Sequence, residues 1–175
     1  ELAQGQLAMP ILRILGQFKS TYIVAEGPEG MHLIDQHTAH ERVLFDQLRR
    51  DRRKGEVNAQ GLLEPVAVQL TPGQESLLEH HIEILQGYGF SLEPFGNRTV
   101  LLRSLPAPLA SQAPAQSLLD LLDRLEGGEL KGYDWEDRIL ATVACHGAVR
   151  AGHDLAPSEM QEMIRLLEAT DIPHT

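Results

Sequence analysis

Glycine stops cut this chain into short elements. Gly55, Gly87, Gly127-Gly128 and Gly152 each follow an apolar stretch with helical spacing. A glycine just past the last periodic residue is a strong helix terminator. The helices so bounded are residues 38–53, a stretch from Thr71 to near Gly87, 116–125 and 134–151; a last helix opens at Pro157-Ser158. Between them lie segments of another kind. Residues 11–25, ILRILGQFKSTYIVA, are rich in β-branched and aromatic side chains and lack a polar helical face, so they read as strands. EGPEG at 26–30 is turn chemistry, and MHLI at 31–34 reads as a short buried strand that delivers Asp35 at its end. LLEPVAVQL at 62–70 reads as a strand, where Pro65 implies an edge or a bulge. Phe90–Glu93 and Thr99–Ser104 flank Gly96-Asn97 as a hairpin.

Strands first, then a helix-hairpin-helix block, then helices: the pattern is an α+β fold. The block at 72–130 is bounded by turn-rich loops and reads as an inserted subdomain, with 1–71 and 131–175 forming a discontinuous second one. The helix start at Thr71-Pro72-Gly73-Gln74 has a capping Thr, a proline at the first position and a Gln three residues on. The last helix turns Met160, Met163, Ile164 and Leu167 inward, and Asp171-Ile172-Pro173 breaks it. The loop 105–114 holds three prolines.

Composition excludes several classes. The 175 residues include 15 Lys+Arg, 25 Asp+Glu and one Cys, for a formal net charge of -10, and 42% are hydrophobic. The apolar share is too high for disorder. One cysteine excludes a disulfide framework within the chain. No apolar run approaches the roughly 20 residues of a membrane span, and no secretory signal opens the chain. Glu1 in place of an initiator Met points to an excised fragment. The acidic balance argues against gripping nucleic acid unaided. One cationic run, Arg49, Arg50, Arg52, Arg53 and Lys54, stands out. It is either a solvated helix end that suits the macrodipole or a phosphate contact patch. No serine-hydrolase elbow, Walker A loop, dinucleotide glycine signature or RNA-binding pattern is present.

The segment that carries chemistry is D-Q-H-T-A-H-E-R-V-L-F-D at 35–46. Asp35 sits where strand becomes helix. His37 and Glu41 are four apart, so they share a helix face if the first turn includes His37. An imidazole and a carboxylate so spaced reach one divalent ion, and a nearby Asp orients or deprotonates water. The competing reading is a capping box, with Thr38 as cap and Glu41 as its partner. It leaves His37 outside the helix and makes the histidines incidental. Cys145-His146 is a second candidate, but adjacent helical residues point about 100° apart and would not chelate together. Ala141, Ala144, Cys145 and Ala148 form a stripe of small side chains. His32, His80, His81 and His153 read as surface or satisfied histidines.

Three segments together resemble the C-terminal domain of the DNA mismatch repair protein MutL. Residues 15–46, from L-G-Q-F-K-S-T-Y-I-V-A through I-D-Q-H-T-A-H-E-R, are similar to the strand pair and D-Q-H-A-x-x-E-x-x-x-x-E motif of the nicking-endonuclease branch. A-C-H-G-A-V-R-A-G at 144–152 is similar to the family's Ala-Cys motif, and Q-G-L-L-E-P at 60–65 to its sliding-clamp peptide. The resemblance implies a homodimerising subdomain interrupted by an external, regulatory one, and metal-dependent nicking of DNA in mismatch repair. It implies Asp35 as the catalytic acid residue, with His37, Glu41 and Cys145 at a manganese or zinc site. Gln60, Leu63 and Pro65 would bind the replicative sliding clamp. Further partners would be DNA, reached through the full protein, and the mismatch-recognition protein MutS; the location would be cytoplasmic. Position 38 is Thr where the motif has Ala, and position 46 is Asp where it has Glu. The family's C-P-H-G-R-P motif does not occur, and the chain stops at I-P-H-T where it would be expected. The fragment alone is therefore expected to bind metal weakly and to nick poorly or not at all. The alternative is a non-catalytic homodimerisation scaffold that binds the clamp.

Overall fold

A computed structural model describes residues 12–128, 133–149 and 152–170. It confirms the α+β class: two antiparallel three-stranded sheets and five α-helices among the described residues. The chain divides into two compact units, Glu1–Asp46 with Ala148–Thr175, and Gln47–Gly147. The expected insert, 72–130, lies inside the second unit, which also contains the strand at 59–69 and the helix that begins at Trp135. Among the described residues no helix is long and apolar enough to cross a membrane.

In the first unit, β1 (Arg13–Phe18), β2 (Tyr22–Gly27) and β3 (Gly30–Asp35) form an antiparallel meander in that order. Side chains alternate between the two faces of a strand. Ile23 and Ala25 are therefore fully buried on one face. They share a core with Ala39 and Val43 of α1 (Gln36–Lys54) and with Met160, Met163, Ile164 and Leu167 of α5 (Pro157–Glu168). The inward stripe of the last helix is as expected; the break at 171–173 lies outside the described residues. Strand β3 departs from expectation. MHLI reads as buried, yet Met31 and Leu33 are 69% and 60% exposed. The register explains it. Leu33 pairs with Val24, Met31 with Glu26 and Phe18 with Tyr22, so these residues stand on the face opposite Ile23.

Two side-chain amides, buried Gln36 and half-buried Gln17, tie this sheet to the segment before α5. Gln36 is wholly buried. Its Nε2 donates to the carbonyls of Ser20 at 2.9 Å and His153 at 3.0 Å. Gln17 Nε2 donates to the same His153 carbonyl at 2.9 Å, and its Oε1 accepts from Leu155 N–H at 3.2 Å. The Gly152 N–H donates to Ser20 O at 2.8 Å. Every donor and acceptor here replaces a lost water contact, which is what makes a buried amide tolerable.

In the second unit, β4 (Ala59–Gln69), β5 (Ser91–Gly96) and β6 (Thr99–Pro106) pair in the order β4-β6-β5. Strand β4 lies at an edge, and its register with β6 shifts between Gly61 and Val66, the stretch that holds Pro65. Edge and bulge are thus both present. Helix α2 (Pro72–Gly87) starts with the expected capping box: Thr71 accepts from Gln74 N–H, and the Gln74 side chain accepts from Thr71 N–H. The hairpin turn falls one residue later than read, at Asn97-Arg98, whose φ values of 48° and 55° match a tight two-residue turn. Helix α3 (Pro114–Gly127) starts at its proline and ends at Gly128, which takes the left-handed conformation at φ 70°. Helix α4 (Trp135–Gly147) is shorter than the expected 134–151, so buried Ala148 lies past its end. Leu118, Leu121, Leu122, Ile139, Leu140 and Val143 fill the interior of this unit.

Candidate functional site

The site is set by where α1 begins. The capping-box reading of Thr38 is not what forms. Asp35, the last residue of β3, accepts the Thr38 N–H on its Oδ1 at 2.9 Å, and the helix starts at Gln36. A carboxylate satisfies an orphan N–H and suits the positive helix end. Thr38 itself is exposed. Two consequences follow for the motif. His37 falls inside the first helical turn, and Glu41 is released from capping. The His37 Nε2 and Glu41 Oε2 atoms lie 4.0 Å apart, each side chain 37% exposed. Two ligands of one tetrahedral ion sit roughly 3.4 Å apart at ordinary bond lengths.

The other ring nitrogen fixes the tautomer. His37 Nδ1 is 3.0 Å from the Val149 carbonyl, so Nδ1 carries a hydrogen, and in the neutral ring the lone pair is on Nε2. That is the form in which histidines bind metals, with the distal N–H anchored on a carbonyl. The donor set at Nε2 and Glu41 therefore fits a divalent cation in chemistry and spacing. His40 is bonded the opposite way: its Nδ1 accepts the Val149 N–H at 2.8 Å. His40 is thereby neutral with its proton on Nε2. Burial, and secondarily the charge of His37, lower its pKa, which favours the same neutral form.

The structure brings His37 and Glu41 together. Asp35 is one residue before the same helix, with one carboxylate oxygen turned to the backbone. Asp46 is buried within α1, at 6% exposure. Cys145 belongs to the second unit, where it is a free, half-buried thiol on α4 with Arg124 Nη1 donating to its Sγ at 3.1 Å. His146 bonds its own helix through Nδ1 and the Thr142 carbonyl, 2.9 Å away, consistent with the expectation that it would not pair with Cys145. Gln60, Leu63 and Pro65 are exposed on β4, and Gln60 Nε2 donates to the neighbouring Gly61 carbonyl at 3.0 Å.

Of the remaining histidines, His80 bonds the Ser76 carbonyl and His81 stacks on Trp135, with ring centroids 3.8 Å apart. His32 departs from the surface-or-satisfied expectation, because its Nε2 is buried without a hydrogen-bond partner. The basic end of α1 is mixed in charge: Arg49, Arg52 and Arg53 line a cavity of about 160 Å³ with Asp134, Glu136 and Asp137. Sequence reasoning passes over Gln17 and Gln36, and it places His40 near the face of His37 and Glu41 without giving it a role. The signal for His40 was its spacing of three from His37, which puts both on one helix face.

The family model of the MutL C-terminal dimerisation domain matches residues 15–155. The chain is 36% identical over 178 residues to the DNA mismatch repair protein MutL of Koribacter versatilis, covering 100% of the chain and 27% of that relative. It is 37% identical over 177 residues to the MutL of Methanoculleus marisnigri, covering 100% of the chain and 30% of the relative. For the MutL of Halothermothrix orenii the identity is 32% over 173 residues, covering 98% and 27%. The chain thus spans under a third of the length of these curated relatives.

The cap separates a structural from a chemical role at Asp35. Asp35→Ala removes the acceptor for Thr38 N–H and is expected to lower stability by about 1 kcal/mol, whereas Asp35→Asn keeps an oxygen there and costs a few tenths. Urea unfolding of the two variants checks this; equal losses would mean that the cap contributes nothing.

Proposed function

The chain belongs to the MutL C-terminal dimerisation domain family, and from that premise we propose that it homodimerises in DNA mismatch repair and carries a metal site for nicking DNA. The observation that carries the nicking reading is the first turn of α1. His37 donates from Nδ1 to the Val149 carbonyl, which leaves Nε2 as the ligand atom of the neutral ring, and Nε2 faces the Glu41 carboxylate at 4.0 Å. His37 and Glu41 would hold the ion, with manganese or zinc suited to imidazole and carboxylate donors. Cys145 is assigned to the same ion by the family resemblance. A divalent ion held there supplies a Lewis acid for a phosphodiester and an acidified water. The cap bond holds Asp35 Oδ1, so Oδ2 is the atom we assign to proton acceptance or ligation. Mismatch-recognition protein MutS, DNA delivered through the rest of the protein, and a cytoplasmic location complete the reading.

Its test is nicking of supercoiled plasmid with manganese, by a protein of the relatives' full length carrying this domain. Asp35→Asn should slow nicking at least roughly 100-fold, the scale of a lost general base. Equal rates for the two proteins would discard the enzyme reading. The scaffold alternative would then stand, and one observation favours it: the cap alone gives Asp35 a structural reason to be there.

For dimerisation we assign the outer face of the β1-β2-β3 sheet. Leu15, Phe18, Tyr22, Met31 and Leu33 are all exposed on these strands. A contiguous apolar patch of this kind marks an interaction surface. Sedimentation at micromolar concentration should give twice the 19.4 kDa chain mass, and Met31→Asp with Leu33→Asp should give the monomer with an unchanged far-ultraviolet spectrum. A wild-type monomer would remove the assignment.

Clamp binding is assigned to Gln60, Leu63 and Pro65. The fully exposed Leu63 on an edge strand with an irregular register supports a peptide presented for capture. Gln60→Ala and Pro65→Ala should each abolish pull-down by the replicative sliding clamp; undiminished binding would refute the peptide's role.

A further inference from the structure

The proposed ion site leaves one half-buried side chain in its first turn without a function. His40 is neither a member of the D-Q-H motif nor a partner of Glu41, yet it and His37 grip the same residue from one helix face. Val149 gives its carbonyl to His37 Nδ1 at 3.0 Å and its N–H to His40 Nδ1 at 2.8 Å. The two bonds demand opposite tautomers on neighbouring rings. Only a neutral ring with an unprotonated Nδ1 accepts an N–H, and only a protonated Nδ1 donates to a carbonyl.

We propose that His40 is a positioning residue: by accepting the Val149 N–H it fixes the Val149 carbonyl, and that carbonyl orients the His37 ring and selects the Nδ1–H tautomer, whose Nε2 lone pair is the one offered to a cation. The inference rests on the metal reading of His37 and Glu41. Its physical basis is the cost of an unmade bond. Without His40 the half-buried Val149 N–H loses its acceptor, and a donor shielded from water without a partner is unfavourable. The backbone at 149 then turns to find another partner and withdraws the carbonyl from His37. Gln36, the residue before His37, holds the same segment further on, through the His153 carbonyl. The Val149 position is therefore gripped from α1 on its own account by His40. Partners behind a ligating histidine commonly change metal affinity 10- to 100-fold.

The test uses histidine-labelled protein without metal, in which nitrogen shifts report each ring's tautomer. Wild-type His37 should carry its hydrogen on Nδ1 and His40 on Nε2. In His40→Leu the His37 ring should move toward the Nε2–H form, and manganese affinity, read by the spin resonance of the free ion, should fall roughly 10-fold. His40→Asn places an oxygen at the same distance from Cβ as Nδ1 and should restore both. Should His40→Leu not fold, His40→Gln, whose oxygen lies one bond farther out, takes its place. Unchanged His37 shifts in the apolar variant, or an Asn variant no better than Leu, would overturn the proposal. Absence of manganese binding by the wild type would instead end the metal reading, and the ring shifts alone would decide for or against His40.

Discussion

The hydrogen bond from Thr38 N–H to Asp35 Oδ1 decides the phase of α1. Were Thr38 the cap, helical geometry would begin one residue after it. His37 would then lie on non-helical backbone and Glu41 would be turned back on the helix end. With Asp35 as the cap, residues 37 and 41 are one turn apart on one face, and so are 37 and 40. The same carboxylate also ends β3, so strand and helix meet without a loop between them. A short connection leaves little freedom in where the first turn points.

That first turn is then fixed from its other side by the segment 149–155. Gln36, His37 and His40 each bond to its backbone, and Gln17 adds a fourth contact from β1. These bonds are directional, so they select one arrangement where apolar packing alone would tolerate several. The apolar contribution comes from Ala39 and Val43, on the opposite side of the same helix, which enter the core with α5. The helix thus has one stripe for packing and one for polar contacts, and the motif residues lie on the second.

Much of this was legible in the chain. The helix stops at Gly55, Gly87 and Gly127-Gly128, the proline starts, the Thr71 capping box and the inward stripe of α5 rest on local chemistry, and the structure has them where the sequence put them; the stop expected at Gly152 is the exception, since α4 ends at Gly147. The misread features are those in which two local rules compete. Thr-x-x-Glu is a capping box by pattern, but Asp35 offered a charged acceptor and won. MHLI is apolar throughout, so its alternation was invisible until pairing with β2 put Met31 and Leu33 outside. Gln36 could not be read as buried, because its partners are main-chain carbonyls remote in sequence. In the site, the His37–Glu41 pairing followed from helical spacing. The Val149 bonds that set the tautomers depend on tertiary contact and had no local signal.

The outward residues of β3 bear on both parts of the reading. A strand of six residues whose end must deliver Asp35 to a helix cap cannot change register by one, since that would exchange its faces. Its apolar outer side chains are therefore tied to the same register that positions the cap. Covering them with a second copy removes apolar surface from water without disturbing β3 or the start of α1. Net charge sharpens the point. A chain at -10 repels a polyanion such as DNA, so a dimer of it repels more strongly still. Under the nicking reading, a cation at His37 and Glu41 both activates the phosphodiester and offsets part of that repulsion where the strand must approach.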